Sequence, residues 1–223
     1  MKILYGKPLA DKILADTKTL VSKLNHTPVL QVMCTDYEQP YFKGIRRDAR
    51  YCGIDVITWG HDSDDKVDGV ISLDPSYEAK DHMNVDGGGM VPCTAEAIML
   101  LLKWHNVPLA GKNVCIIGRS RRVGRPLVNL LIDADATVTV CHSKTKNLMW
   151  QLMSKDIVIS CVGNAGFDMR GISTNYMTLV DVGNDLNNIE DCAALVPFVG
   201  GVGPVTRAVL MRHVYEKAKM KES

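Results

Sequence analysis

A chain of 223 residues has room for one large domain or two small ones, and with 46% hydrophobic residues it can build a substantial core. Its formal net charge of +1 argues against general attraction to nucleic acid or to a membrane surface, and no apolar run approaches the ~18 residues of a spanning helix. Seven cysteines, dispersed without CxxC spacing, suit reduced thiols in the cytoplasm better than a disulfide frame or a zinc site.

The opening segment MKILYGKPLADKIL has no long apolar stretch and no cleavage site, so no signal peptide is expected. Apolar residues at helical spacing predict a helix over PLADKILADTKTLVSKL (8–24). TPVLQVMCT (27–35) reads as a strand, and PYFKGIRRDARYCG (40–53) as a second helix closed by Gly53. IDVITW (54–59) and VDGVISL (67–73) are further strands, and DGGGMVP (86–92) is a loop. CTAEAIMLLLKWH (93–105) predicts an apolar helix with Thr94 as its cap. Cys93 reads as a small buried residue, because no histidine lies near it in sequence, and the six histidines show no metal-ligand spacing, so no metal is expected. Four strands follow, at 113–118, 136–141, 156–163 and 177–183, and their continuous apolar runs suit a sheet covered on both faces. Between two of them, Met149, Trp150 and Met153 are expected to cover a helix face. VGGVGPVT (199–206) reads as a glycine-rich turn before a last helix at 207–219.

Alternating helices and strands predict an α/β fold of two lobes, residues 1–105 completed by 206–223, and residues 106–205. Within the second lobe, NVCIIGRSRRVGRPLVNLL (113–131) joins strand to helix through a glycine turn carrying three arginines. A strand, a glycine turn and a helix N-terminus form the phosphate-binding half of a dinucleotide fold, where backbone N–H groups and the helix dipole favour negative charge. The spacing is not G-x-G-x-x-G, so an ordinary β–α turn stays open on this ground alone. The next strand ends VCHSKT (140–145), without the carboxylate that receives a free ribose 2′-OH. Ser143 and Lys144, with Arg119, Arg121 and Arg122, would suit a 2′-phosphate, which favours NADP over NAD.

Several stretches in order resemble the methylenetetrahydrofolate dehydrogenase/cyclohydrolase family: VDGGGMVPCTAEAIMLLL, LAGKNVCIIGRSRRVGRPLVNLL, ATVTVCHSKT, DIVISCVGNAG, LVDVGND and GGVGPVTRAVL. The resemblance covers nearly all of residues 85–217, and G-R-S-x-x-V-G-x-P with G-G-V-G-P-x-T is its most specific part. It implies a Rossmann-like NADP-binding lobe and a smaller N-terminal folate lobe, with a cleft between them. The implied reaction oxidises 5,10-methylenetetrahydrofolate with NADP, after which water opens the methenyl ring. Carried over by motif, Gly118, Arg119, Ser120, Ser143, Asn184 and Gly203 would contact the cofactor. Asp86, Pro204 and Thr206 would contact the folate, and Tyr41 would be catalytic. The resemblance also suggests a homodimer formed through the cofactor lobe.

The catalytic helix departs from the family pattern of Tyr with Lys four residues later. Four residues after Tyr41 stands Ile45, which neither gives nor takes a proton, and six after stands Arg47. Leu73 occupies the position of the Gln that orients that lysine in the family. Lys43 and Arg46 lie on other faces of the helix. Hydride transfer is mostly positioning, whereas ring hydrolysis needs a placed acid–base group. The expected function is therefore an NADP-dependent methylenetetrahydrofolate dehydrogenase with a weak or lost cyclohydrolase step, acting in the cytoplasm on tetrahydrofolate one-carbon derivatives. The alternatives are a non-catalytic NADP-binding homologue with a regulatory or assembly role, and a dehydrogenase of a different substrate.

Overall fold

The computed structural model describes residues 1–34, 36–58, 67–73, 90–172 and 175–222. In chain order the elements are β1 (Lys2–Ile3), α1 (Lys7–Val21), β2 (Val29–Met33), α2 (Pro40–Cys52), β3 (Asp55–Thr58), β4 (Gly69–Ser72), α3 (Cys93–Trp104), β5 (Asn113–Ile117), α4 (Gly124–Asp133), β6 (Thr137–Cys141), α5 (Leu148–Leu152), β7 (Ile157–Ser160), β8 (Phe167–Asp168), β9 (Thr178–Asp181), β10 (Leu186–Asn187), β11 (Ala194–Val196) and α6 (Val202–Lys221). They group into two compact units, one of residues 1–9 and 94–205, the other of residues 10–93 and 206–223. The expected α/β fold with a parallel sheet is what the chain adopts.

The first unit holds a parallel sheet in the order β1-β11-β9-β7-β5-β6. All four residues of β7 and of β9 are buried, as are Val114–Ile117 of β5, which is what continuous apolar runs require of central strands. β6 departs from this expectation. It lies at the sheet's edge, only Cys141 of its five residues is buried, and Val140 is 38% exposed. One side of the sheet gathers Cys115, Ile117, Cys141, Val158 and Leu179 with Leu152 of α5 and Met177. Leu152 and the partly buried Leu148 anchor α5, whereas Trp150 is 73%, Met153 50% and Met149 39% exposed. These side chains face water, so the expected covering role is corrected.

The second unit holds a three-stranded parallel sheet in the order β3-β2-β4. α2 presents Phe42, Ile45, Ala49 and Cys52 to its core, a stripe of i, i+3, i+7 and i+10 spacing. Pro40 starts this helix, where the missing N–H costs nothing, and Gly53 ends it at φ 78°. The C-terminal end of α6 is tied to β4 and to the chain ahead of β2. Lys221 Nζ lies 3.1 Å from Asp68 Oδ1, His26 Nδ1 lies 3.0 Å from Glu222, and Asp68 accepts a bond from the Val29 N–H.

Two helix starts differ from expectation. α6 begins at Val202, so Gly203, Pro204 and Thr206 form its first turn and a half instead of a preceding loop. A proline near a helix start removes a donor that has no intrahelical partner there, so GPVT begins the helix without penalty. α3 begins at Cys93, which puts Thr94 inside the first turn and not before it.

Candidate functional site

In the first unit the carboxyl ends of the strands lie in register, with Ile117 opposite both Cys141 and Ser160, and Ser160 opposite Asp181. The sheet order reverses at β5, since β6 lies on one side of it and β7 on the other. Such a switch point is where open parallel sheets receive nucleotides. The turn after β5 carries Gly118, Arg119 and Ser120, the turn after β6 carries Ser143, and the turn after β9 carries Asn184, so these predicted residues converge on one edge of one sheet.

Gly118 sits at φ 124°, where a side chain is strained, and a Cβ there would lie 2.8 Å from Cys161 Sγ and 2.9 Å from its carbonyl oxygen. The β5–α4 turn therefore lies hard against the turn after β7. Burial and the nearby Asp185 push the Cys161 thiol up to about 12, and it donates to the Ile117 carbonyl at 3.3 Å. Ser120 Oγ accepts the Val123 N–H at 3.1 Å, and the Ser120 carbonyl accepts the Arg125 N–H at 3.0 Å. This folds the turn into the start of α4 and leaves Arg119, Ser120 and Arg121 exposed. In the neighbouring turn Thr145 Oγ1 accepts the His142 N–H at 2.9 Å, with Ser143 and Lys144 exposed at the tip. A tightly closed glycine turn, a helix N-terminus and exposed cations together fit the phosphates of a dinucleotide.

Sequence reasoning missed Asp185. It is fully buried, and its carboxylate accepts four bonds: Ser160 Oγ at 2.8 Å and the N–H groups of Val162, Gly163 and Ala165 at 2.8, 2.8 and 3.0 Å. Asp181 accepts the Asp185 N–H at 2.8 Å, and desolvation raises the Asp181 carboxyl above its ordinary value. The turns after β7 and β9 are thus locked to each other. Asn184, at φ 58°, extends this lock through a 3.3 Å bond to Asn164. The available signal was a carboxylate at the last position of D-V-G-x-N, an acceptor-only group beside a run of backbone donors.

In the second unit Tyr41 is half-buried on α2. Desolvation lifts its phenol well above the ordinary value, Cys93 adds to the rise, and Arg207 opposes it. Arg207 of α6 crosses Tyr41 with its Cζ 5.7 Å from the ring centroid and donates from Nε to Asp48 Oδ2 at 2.8 Å. The other oxygen of Asp48 accepts Arg47 Nε and Nη2 at 2.9 and 2.8 Å. Cys93 Sγ lies 3.5 Å from His213 Nδ1, a neighbour 120 positions away that local sequence could not show. Ile45 is wholly buried, Lys43 pairs with Glu38 at 2.7 Å, and Arg46 lies 5.9 Å from the Phe42 ring centroid. Leu73 follows β4 with its N–H bonded to the Met33 carbonyl at 2.8 Å. Gly203 and Pro204 are half-buried and Thr206 is buried, all at the start of α6, while Asp86 lies outside the described residues.

A switch-point parallel sheet with a glycine turn leading into a helix N-terminus defines a dinucleotide-binding α/β protein. Residues 92–222 match the tetrahydrofolate dehydrogenase/cyclohydrolase family, NAD(P)-binding domain, and the chain belongs to that family. The bifunctional protein FolD of Nocardia farcinica is 43% identical over 59% of this chain and 51% of its own length. The FolD of Kosmotoga olearia is 33% identical over 95% of each chain. Thus the chain spans about half the length of some curated relatives it matches, and nearly all of others. Among solved structures, the bifunctional FolD methylenetetrahydrofolate dehydrogenase/cyclohydrolase of Campylobacter jejuni superposes with a TM-score of 0.82 at 25% identity, covering 99% of both chains. A 5,10-methylenetetrahydrofolate dehydrogenase of Bombyx mori gives 0.81 at 25% identity, covering 100% of this chain and 99% of its own.

A buried donor left without an acceptor costs about 1–3 kcal/mol. Asp185→Ala is therefore expected to lower the melting temperature by about 5 °C or more. Asn184→Gly, at an exposed left-handed position, is expected to move it by about 1 °C or less. Scanning calorimetry of both variants checks the lock, and equal shifts would contradict it.

Proposed function

We propose that this chain is an NADP-dependent 5,10-methylenetetrahydrofolate dehydrogenase whose cyclohydrolase step is weak or lost. The observation that carries the reading is a contrast between the two units. The β5–α4 turn keeps its close-packed glycines, exposed cations and locked neighbours, whereas the position that the family resemblance gives to lysine on α2 holds a wholly buried isoleucine. Relatives named for both activities support the reaction class.

Gly118, Arg119, Ser120, Ser143, Asn184 and Gly203 would hold the cofactor, with Arg119 and Ser143 on the 2′-phosphate. Asp86, Pro204 and Thr206 would hold the folate. NADP supplies the hydride acceptor when bound. The residues of this chain would bind and orient the folate and the cofactor. Tyr41 stays neutral, because burial disfavours its phenolate, and so serves as a hydrogen-bond donor and not as a base. The protein is expected to work as a cytoplasmic homodimer.

A charge-assisted bond to phosphate contributes about 1.5–3 kcal/mol. Arg119→Ala should therefore weaken NADP binding about tenfold or more and leave NAD binding nearly unchanged. Titration calorimetry with both cofactors decides this, together with NADP reduction by the unmutated protein given methylenetetrahydrofolate. Tighter binding of NAD than of NADP, or absence of reduction, would overturn the assignment.

A positioned acid–base group typically contributes about 10²–10⁴-fold. Ile45→Lys alone should restore little hydrolysis of methenyltetrahydrofolate, because Leu73 stands where the family's glutamine would accept from it, and a buried ammonium without an acceptor tends to lose its proton. Ile45→Lys with Leu73→Gln should do better. Decay of the methenyl absorbance, in a buffer that does not catalyse ring opening, is the measurement. Full restoration by the single substitution would contradict the role given to the glutamine.

A further inference from the structure

The stripe Tyr41, Gly44, Asp48 runs along α2 at i, i+3 and i+7, and the side chain of Arg207 lies along it. Gly44 is what allows this course, since a Cβ there would fall 2.8 Å from Arg207 Nε and 3.0 Å from its Cζ. Asp48, with a side chain only 4% exposed, takes the Nε edge of the guanidinium. That leaves the guanidinium face beside the Tyr41 ring, with the Arg207 side chain 14% exposed. One carboxylate stands between two guanidinium groups, Arg47 and Arg207, so the cluster carries one positive charge in excess beside Tyr41.

We infer that Arg207, seated on Gly44 and oriented by Asp48, is the cation that serves Tyr41 in this protein, and that it binds a carbonyl or carboxylate oxygen of the reduced folate. This rests on the function proposed above and deepens it. The charge comes from α6 instead of α2, one residue after Thr206. A guanidinium offers several donors in one plane, so it can hold Asp48 along one edge and still donate to a ligand along another. An ammonium is a single point with no second edge. A guanidinium also stays protonated throughout the accessible pH range, so it anchors but exchanges no proton. The substitution therefore preserves folate binding and hydride transfer while removing the acid–base step, which accounts for the co-occurrence of Arg207 and Ile45 in one site. Asp48 and Gly44 are positioning residues, acting through Arg207.

The test is equilibrium binding of 5-formyltetrahydrofolate, a reduced folate that the dehydrogenase step cannot consume, measured by titration calorimetry with NADP present. Asp48→Asn with Arg207→Met removes the pair without leaving a buried charge alone. It is expected to weaken folate binding about tenfold or more, with the NADP affinity of the same preparation unchanged. Arg207→Lys keeps the charge but loses the second edge, and should bind several-fold more weakly than the unmutated protein. Gly44→Ala should mimic the loss by displacing the guanidinium. Undiminished folate binding by the double variant would overturn the role of Arg207 alone. If that variant does not fold, undiminished binding by Arg207→Lys overturns it. Failure of the unmutated protein to bind reduced folate at all would contradict the proposed function itself, and with it this assignment.

Discussion

A carboxylate buried on a helix must be matched by charge, and in the second unit most of the site's geometry follows from meeting that need at Asp48. Removing one partner of a buried ion pair commonly costs about 3–5 kcal/mol, because the other charge is left without water or counter-ion. Arg207 is consequently held in one place, since its Nε lies 2.8 Å from Asp48 Oδ2. Holding it there requires a residue without Cβ at position 44 and brings the guanidinium over Tyr41. The same helix turns Ile45 into the core with Phe42 and Ala49, so the position one turn after Tyr41 belongs to packing and not to chemistry. One turn after Tyr41 the helix makes a core contact, and the cation beside Tyr41 comes from α6.

The first unit meets a different requirement. Turns that present backbone to a phosphate need to be rigid without side chains filling the space. Gly124 lets the β5–α4 turn close on Gly118, and Gly118 in turn lets the Cys161 turn press against it. Asp185 then fixes that second turn with three backbone donors and the Ser160 hydroxyl. Rigidity here comes from a buried acceptor behind the site, which leaves the exposed cations in front free to meet a ligand. Cofactor chemistry asks the protein for position above all, and this half of the molecule provides it.

Long periodic elements were legible in the sequence. The helix α2 and its glycine end stand where they were expected, and the buried runs of β5, β7 and β9 form a parallel sheet as their composition required. β1, β8, β10 and β11 were not legible, because two or three residues carry no periodic signal and are strands only through their partners. The start of α6 was misread as a turn because glycine and proline usually mark one, yet near a helix N-terminus proline fits. Arg207 and His213 were out of reach for another reason. Their partners, Asp48 and Cys93, stand 159 and 120 positions away, and no local pattern links them. Asp48 did leave a trace: a carboxylate at the edge of the apolar stripe of α2 announces a buried partner without naming it.

As proposed above, this site would oxidise without hydrating, because Arg207 cannot exchange a proton. Analysis of the folate products formed in a single incubation with methylenetetrahydrofolate and NADP tests it most directly. If the account is right, methenyltetrahydrofolate accumulates in step with NADPH, and 10-formyltetrahydrofolate appears only at the rate of the protein-free control. Formation of 10-formyltetrahydrofolate in step with NADPH, with no accumulation of the methenyl species, would contradict it.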